Sequence, residues 1–216
     1  MTGRPTVVPG TRDRAGALLV LGAVLVFTVT TVVTLSTSET AYVWYTNMLS
    51  DLGDGACRVR GGRWICSPNH LVFNTGIAVS GVLLATAGAC LVPRWGRVAA
   101  GGVVVMGVGL VATGVFPAGT RAGLHLTAVV LALVVPALGF LASGIRPGTP
   151  WLHRRRTARV VLASTALVSA AVSRAPGEGV PRGAAELVIV AALLLVLLLE
   201  AGCLLAREPR AGDVSR

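Results

Sequence analysis

The chain has no lysine, and only nine acidic residues and three histidines among its 216. Charged residues make up 13% of it, against roughly a quarter in an ordinary soluble domain. That scarcity excludes a solvated globular surface. All nineteen cationic side chains are arginine, and a net charge of +10 would by itself suggest a nucleic-acid partner. The arginines, however, fall in short segments between apolar runs and not on one polar face, which excludes nucleic acid and points to membrane orientation. Internal repeats are also lacking, so the inverted halves of many secondary transporters have no counterpart here.

What is present is oil: 54% hydrophobic residues and a mean hydropathy of +0.76. A helix rising about 1.5 Å per residue needs about twenty apolar residues to cross about 30 Å of hydrocarbon. Six runs reach or approach that length: Gly16–Leu35, Leu71–Val92, Val98–Phe116, Ala122–Ser143, Ala158–Ser173 and Gly183–Ala206. The fifth is short and rich in Ala, Ser and Thr. The first is longer than the apolar core of a signal peptide and no small-x-small cleavage site follows it, so it reads as a retained helix. The sequence therefore predicts an all-α polytopic six-helix transmembrane bundle. A cytoplasmic tail (1–14) precedes a membrane domain (15–206, with an outer loop over 36–69), and a second cytoplasmic tail (207–216) follows.

Arginine sets the orientation. Arg4, Arg12, Arg14, Arg94, Arg97, Arg146, Arg154, Arg155, Arg156, Arg159, Arg207, Arg210 and Arg216 all fall in alternate segments, thirteen of the nineteen. The positive-inside rule makes those segments cytoplasmic and puts both termini inside a multi-pass protein of the plasma membrane. The other side balances Arg58, Arg60, Arg63, Arg121, Arg174 and Arg182 against Glu39, Asp51, Asp54, Glu178 and Glu186. The WLHRRR run around His153 has a plain topological role, with attraction of anionic lipid heads as the alternative.

The first helix leaves through a polar stretch, Ser36 to Thr40, and Tyr42, Trp44 and Tyr45 follow as interface anchors. Cys57 and Cys66 then flank a Gly-rich turn on the outer side, where an oxidising compartment favours a disulfide. Cys90 and Cys203 read as small core residues. Beyond the loop, His70 and Asn74 share one face of the second helix, which ends near Pro93. The third helix is glycine-spaced for close packing. Its Gly107-Val-Gly109-Leu-Val-Ala112 imitates a dinucleotide fingerprint, but no strand precedes it. Pro136 should kink the fourth helix.

On this topology Asn47, Ser50, Asp51, His70, Asn74, His125 and Glu186 lie at or just below the outer interface. Titratable groups at membrane depth cost about 2.5–3.5 kcal/mol unless they face partners or water, so they are expected to converge beneath the disulfide loop, with Asp51 paired to His70 or His125. Three function classes fit. A polar pocket would bind a small ligand or a lipid head group through Asn47, His70, Asn74 and Glu186, or the same groups would form a structural network. Alternatively, Ser50, Asp51 and His125 would carry hydrolase or transferase chemistry on a lipid-linked substrate. A small transporter subunit is the third class and would need several copies, so a homo-oligomer and membrane lipids are the partners compatible with the sequence. The cofactor and metal content stay unknown: two histidines fall short of the usual three or four protein ligands, even with Glu186 as a third.

Asn47-Met-Leu-Ser50-Asp51-Leu-Gly53, Asn69 with Asn74, Gly114-Val-Phe116-Pro117 and His125, in that order, resemble the pattern of the domain of unknown function family 998, a set of six-helix prokaryotic membrane proteins. The similarity extends from about Gly16 to Ala206. It implies Asn47, Ser50, Asp51, Gly53, Asn74, Pro117 and His125 as functional candidates and supplies no reaction. The Cys57/Cys66 insertion and His70 depart from the pattern.

Overall fold

A computed structural model describes residues 9–37, 42–153, 155–174 and 180–206. Arg4, the polar exit at Ser38–Thr40 with Glu39, Arg154, Glu178 and the tail from Arg207 lie outside the described residues. Of the described residues 78% are helical. Its helices are α1 (Thr11–Ser36), α2 (His70–Val115), α3 (Ala122–Val129), α4 (Val135–Ile145), α5 (Pro150–His153), α6 (Arg156–Val172) and α7 (Arg182–Leu205). Between α1 and α2 sit a 3-10 turn (Leu49–Gly53) and two short strands, β1 (Arg58–Arg60) and β2 (Arg63–Ile65). Among the described residues four helical stretches, Thr11–Ser36, His70–Val115, Ala122–Ile145 and Arg182–Leu205, are long and apolar enough to cross a membrane. This is a membrane protein.

Helix α1 begins five residues earlier than its apolar run, because Asp13 caps it. The Gly10 N–H donates to Asp13 Oδ2 at 2.8 Å, and Arg94 pairs with the same oxygen at 2.8 Å. The second and third apolar runs form one 46-residue element that reverses at Gly96 (φ 68°, ψ 167°). Pro93 stays inside the helix and Gly96 makes the break, since a left-handed φ costs a glycine nothing. The two halves of α2 then pack on each other: a Cβ at Gly81 would strike the Gly107 carbonyl, and one at Gly107 would strike Gly81. The glycines that imitate a nucleotide fingerprint are thus contact points between helices, which is how small residues act in lipid.

Pro136 acts as expected in kind but not in form. Residues Val130–Val134, between α3 and α4, wind as a π-helix, one turn ahead of the proline. A proline ring clashes with the carbonyl four residues back, and a widened turn relieves that contact. The fifth run becomes α6, only 17 residues long.

Helix α1 lies against α2 and α7, α4 against α2 and α6, and α6 against α7, which closes the bundle. Val20, Leu84, Leu91, Val103, Phe140, Leu193 and Leu197 fill its interior. Outside it, Leu18, Leu25, Val29, Val98, Val168 and Leu195 are each about half exposed or more. Apolar exposure on that scale means contact with another apolar phase.

The all-α expectation needs one correction. Arg58–Arg60 and Arg63–Ile65 pair antiparallel, with Val59 opposite Trp64. Gly61 (φ 56°) and Gly62 (φ 78°) supply the two positive φ angles that a two-residue hairpin turn requires. The Cys57–Cys66 disulfide closes the hairpin at its base.

Candidate functional site

The polar residues gather at the hairpin end of the bundle, around the single turn Leu49–Gly53. A turn this short leaves its first N–H groups without internal acceptors. Two carboxylates supply them. Met48 N–H donates to Asp51 Oδ2 at 2.9 Å, and Leu49 N–H donates to Glu186 Oε2 at 2.6 Å. The Ser50 N–H donates to Glu186 as well. Glu186 comes from the first turns of α7, so it ties the loop to a helix 137 residues away.

Asp51 is 3% exposed and its partner is Arg63 of β2, not a histidine. The Arg63 Nε donates to Oδ2 at 2.7 Å and Nη2 to Oδ1 at 3.0 Å. This corrects the expected pairing with His70 or His125. A two-pronged guanidinium–carboxylate contact is stronger and better directed than a single imidazole bond. It also holds the Arg63 guanidinium above its ordinary pKa, the hydrogen bond to Asp51 contributing most. Asn47 completes the cluster: its Oδ1 accepts from Val43 N–H at 3.3 Å and its Nδ2 donates to the Trp64 carbonyl at 3.4 Å, which joins the loop to the hairpin. Tyr42 is not a surface anchor, since its hydroxyl donates to the Asn47 carbonyl at 3.0 Å and its ring packs on the core. Burial, and then the charges of Glu186 and Asp51, push its phenol above the ordinary value. Trp44 and Tyr45 are exposed, as anchors would be.

Asn74 and the two histidines lie around this cluster and hold backbone carbonyls. The Asn74 Nδ2 donates to Gly53 O at 3.0 Å, with its Oδ1 where a Cβ on Gly53 would stand. His70 Nδ1 donates to Ser67 O at 3.1 Å, and His125 Nδ1 to Phe116 O at 2.9 Å. A carbonyl can only accept, so Nδ1 carries the proton in both rings. Ser67 in turn donates to Leu52 O at 2.7 Å. Asp54 takes Arg58 at 3.0 Å and Arg60 at 3.5 Å on one oxygen, and Arg58 also donates to Gly119 O at 3.1 Å.

The structure therefore brings Asn47, Asp51 and Glu186 together through Arg63 and the Leu49–Gly53 turn, with Asn74 beside them. Among the described residues no hydrogen bond joins Ser50, Asp51 and His125, and no group of three His, Cys, Asp or Glu side chains is placed to hold a metal ion. Ser50 and Glu186 border a small cavity of about 50 Å³ walled by Phe27, Phe73 and Leu133. A larger groove of about 750 Å³ opens beside the loop. Asp54, His70, Asn74 and Thr120 line one end of it and Ala78, Val79 and Val115 the other.

A family model described as "Protein of unknown function (DUF998)" matches residues 15–201. The chain belongs to this family. The match covers all four long apolar helices of this DUF998 member except the first residues of α1 and the last of α7. No curated protein and no solved structure matches it.

Sequence reasoning misses Arg63, because an arginine opposite the basic side reads only as charge balance. It also misses a second cluster of this DUF998 chain, at the far end of the bundle. There Arg159 Nη2 meets Glu200 Oε1 at 2.6 Å with both residues at most 1% exposed. Trp151 Nε1 donates to the other Glu200 oxygen at 3.1 Å, and Arg159 Nη1 donates to Leu152 O at 3.0 Å. The available signal was a carboxylate inside the last apolar run, which demands a cation.

Proposed function

We propose that this protein is a six-span component of the plasma membrane, with both ends cytoplasmic, that holds a small ligand or lipid head group in the groove beside its outer hairpin. The break at Gly96 and the packing of the two α2 halves support counting α2 as two crossings, and α6 brings the number to six. The thirteen arginines in alternate segments support the orientation.

One observation carries the binding reading: the groove wall changes along its length from Asp54, His70, Asn74 and Thr120 to Ala78, Val79 and Val115. Sites for small molecules are concave, mostly apolar and furnished with a few converging polar groups. In the Asn47–Asp51–Arg63–Glu186 cluster beside it, the carboxylates are already engaged. It supports the loop that forms the groove's upper wall and is a scaffold in this reading. The hydrolase alternative draws less support, since Asp51 is engaged by Arg63 and His125 by a carbonyl.

The test is native mass spectrometry of protein purified in mild detergent. The wild type should retain a small molecule, and Val79→Trp, which fills the groove from an exposed position, should lose it. An empty wild type, or retention unaffected by Val79→Trp, would sink the reading.

A further inference from the structure

Resting on the binding reading above, we infer that the occupant is an anionic phospholipid, with its phosphate at Arg58 and Arg60 and an acyl chain lying in the crevice between the two halves of α2.

The charge argument begins with Asp54. Its one carboxylate is shared by two guanidinium groups, Arg58 and Arg60, both on Oδ2. The side chains of these arginines keep 44% and 33% of their exposure, whereas Asp54 is 3% exposed. Asp54 and Gly119 line the groove and Arg58 reaches the Gly119 carbonyl, so the two arginines edge it and leave that edge one cationic charge in excess; guanidinium is the side chain best shaped to take two oxygens of a phosphate. His70 stands on the same wall. Its Nδ1 is occupied by Ser67 O, and its ring packs against Gly55.

The chain argument comes from a second groove of about 440 Å³, lined by Val82, Ala85, Thr86, Gly107, Val108, Val111 and others. Val115 borders both, so the two grooves lie next to each other along the outside of the α2 pair. From Thr75 to Thr86 the apolar part runs eleven residues, about 16 Å at 1.5 Å per residue. That is about half of a 30 Å hydrocarbon core, the depth of one leaflet. A soluble anion would need the rim but not this length. The small residues that let the α2 halves approach also keep this crevice shallow and open to the side, where a lipid enters without crossing protein.

The test offers the detergent-solubilised protein an equimolar mixture of phosphatidylglycerol and phosphatidylcholine with matched chains, and counts retained lipid by native mass spectrometry. One excess cation should favour phosphatidylglycerol about fivefold, equivalent to about 1 kcal/mol. The charge-free arginine variant, Asp54→Asn/Arg58→Gln/Arg60→Gln, strands no lone charge and should retain both lipids equally, and Val79→Trp should lose both. An intact Cys57–Cys66 bond on a non-reducing gel and an unchanged melting temperature show that each variant is folded. Equal retention of the two lipids by the wild type, or an unchanged preference in the arginine variant, overturns the phospholipid inference while leaving the binding reading in place. Retention of neither lipid overturns the phospholipid inference, and the binding reading falls with it where the wild type as purified also holds no small molecule. Inorganic phosphate that stabilises Val79→Trp as strongly as phosphatidylglycerol stabilises the wild type would assign the rim to a soluble anion and overturn the lipid.

Discussion

Asp51 and Arg63 meet through two parallel hydrogen bonds, Nε to Oδ2 at 2.7 Å and Nη2 to Oδ1 at 3.0 Å, and so fasten the Leu49–Gly53 turn to the hairpin. Removing one member of a buried pair leaves the other uncompensated, at a cost of about 3–5 kcal/mol. Arg63→Gln should therefore lower the melting temperature strongly. Asp51→Asn/Arg63→Gln should recover part of the loss, because no lone charge remains. Thermal denaturation in detergent checks both, and a double variant no better than the singles would refute the pairing account.

Steric closeness gives a second prediction. A Cβ at Gly53 would occupy the place of Asn74 Oδ1, whereas one at Gly101 meets nothing within 4 Å. Gly53→Ala should displace Asn74 from the Gly53 carbonyl and cost about 1–3 kcal/mol, the price of an unsatisfied buried group. Gly101→Ala should be neutral or slightly stabilising in the same melt.

The disulfide gives a third, which also tests orientation. Cys57→Ser/Cys66→Ser should destabilise by about 2–3 kcal/mol through loop entropy. In intact cells, an impermeant thiol reagent should label Cys57 and Cys66 only after reduction, and should leave Cys90 and Cys203 untouched. Labelling from the cytoplasmic side would invert the topology.

The fourth concerns the far cluster. Glu200→Gln strands Arg159, which is 0% exposed, and should cost about 3–5 kcal/mol. Arg159→Met/Glu200→Leu removes both charges and should melt well above Glu200→Gln. Equal melting of the two variants would show that the pair is not coupled.

The last is a pH dependence. Burial, then Glu186 and Asp51, raise the Tyr42 phenol above its ordinary 10.0. The folded protein therefore holds this proton more tightly than the unfolded chain. The resulting stability is fully present below pH 10.0 and is lost as pH climbs through the higher folded value. Tyr42→Phe should lose about 1 kcal/mol at neutral pH with the hydrogen bond to Asn47 O, and should show a flatter decline above pH 10.0.

The apolar runs could be read from the sequence because hydrocarbon imposes a length on each helix, and their bounds moved only where a local contact intervened, as at Asp13. The level of Asn47, Asp51, Asn74 and Glu186 was legible for the same reason: polar groups at the ends of apolar runs share a depth. Their pairing was not. Which cation reaches Asp51 depends on the hairpin register that puts Arg63 at the first place after Gly61–Gly62, and three outer arginines lie within six residues of one another. The Gly96 reversal was hidden by Pro93, the more conspicuous helix breaker. Arg159 was hidden by its neighbours in an arginine-rich loop, with only Glu200, far along the chain, to mark it as buried.

The reversal at Gly96 also fixes a phase. Gly81 and Gly107 face each other across a turn with a single non-helical residue, so nothing there can absorb a change in length. One residue added between Arg94 and Arg97 would swing Gly107 about 100° around its axis and set a larger side chain against Gly81. The hairpin tip, with open space around Gly62, can lengthen freely. Insertions and deletions in this architecture should collect at the hairpin tip and spare the Gly96 turn.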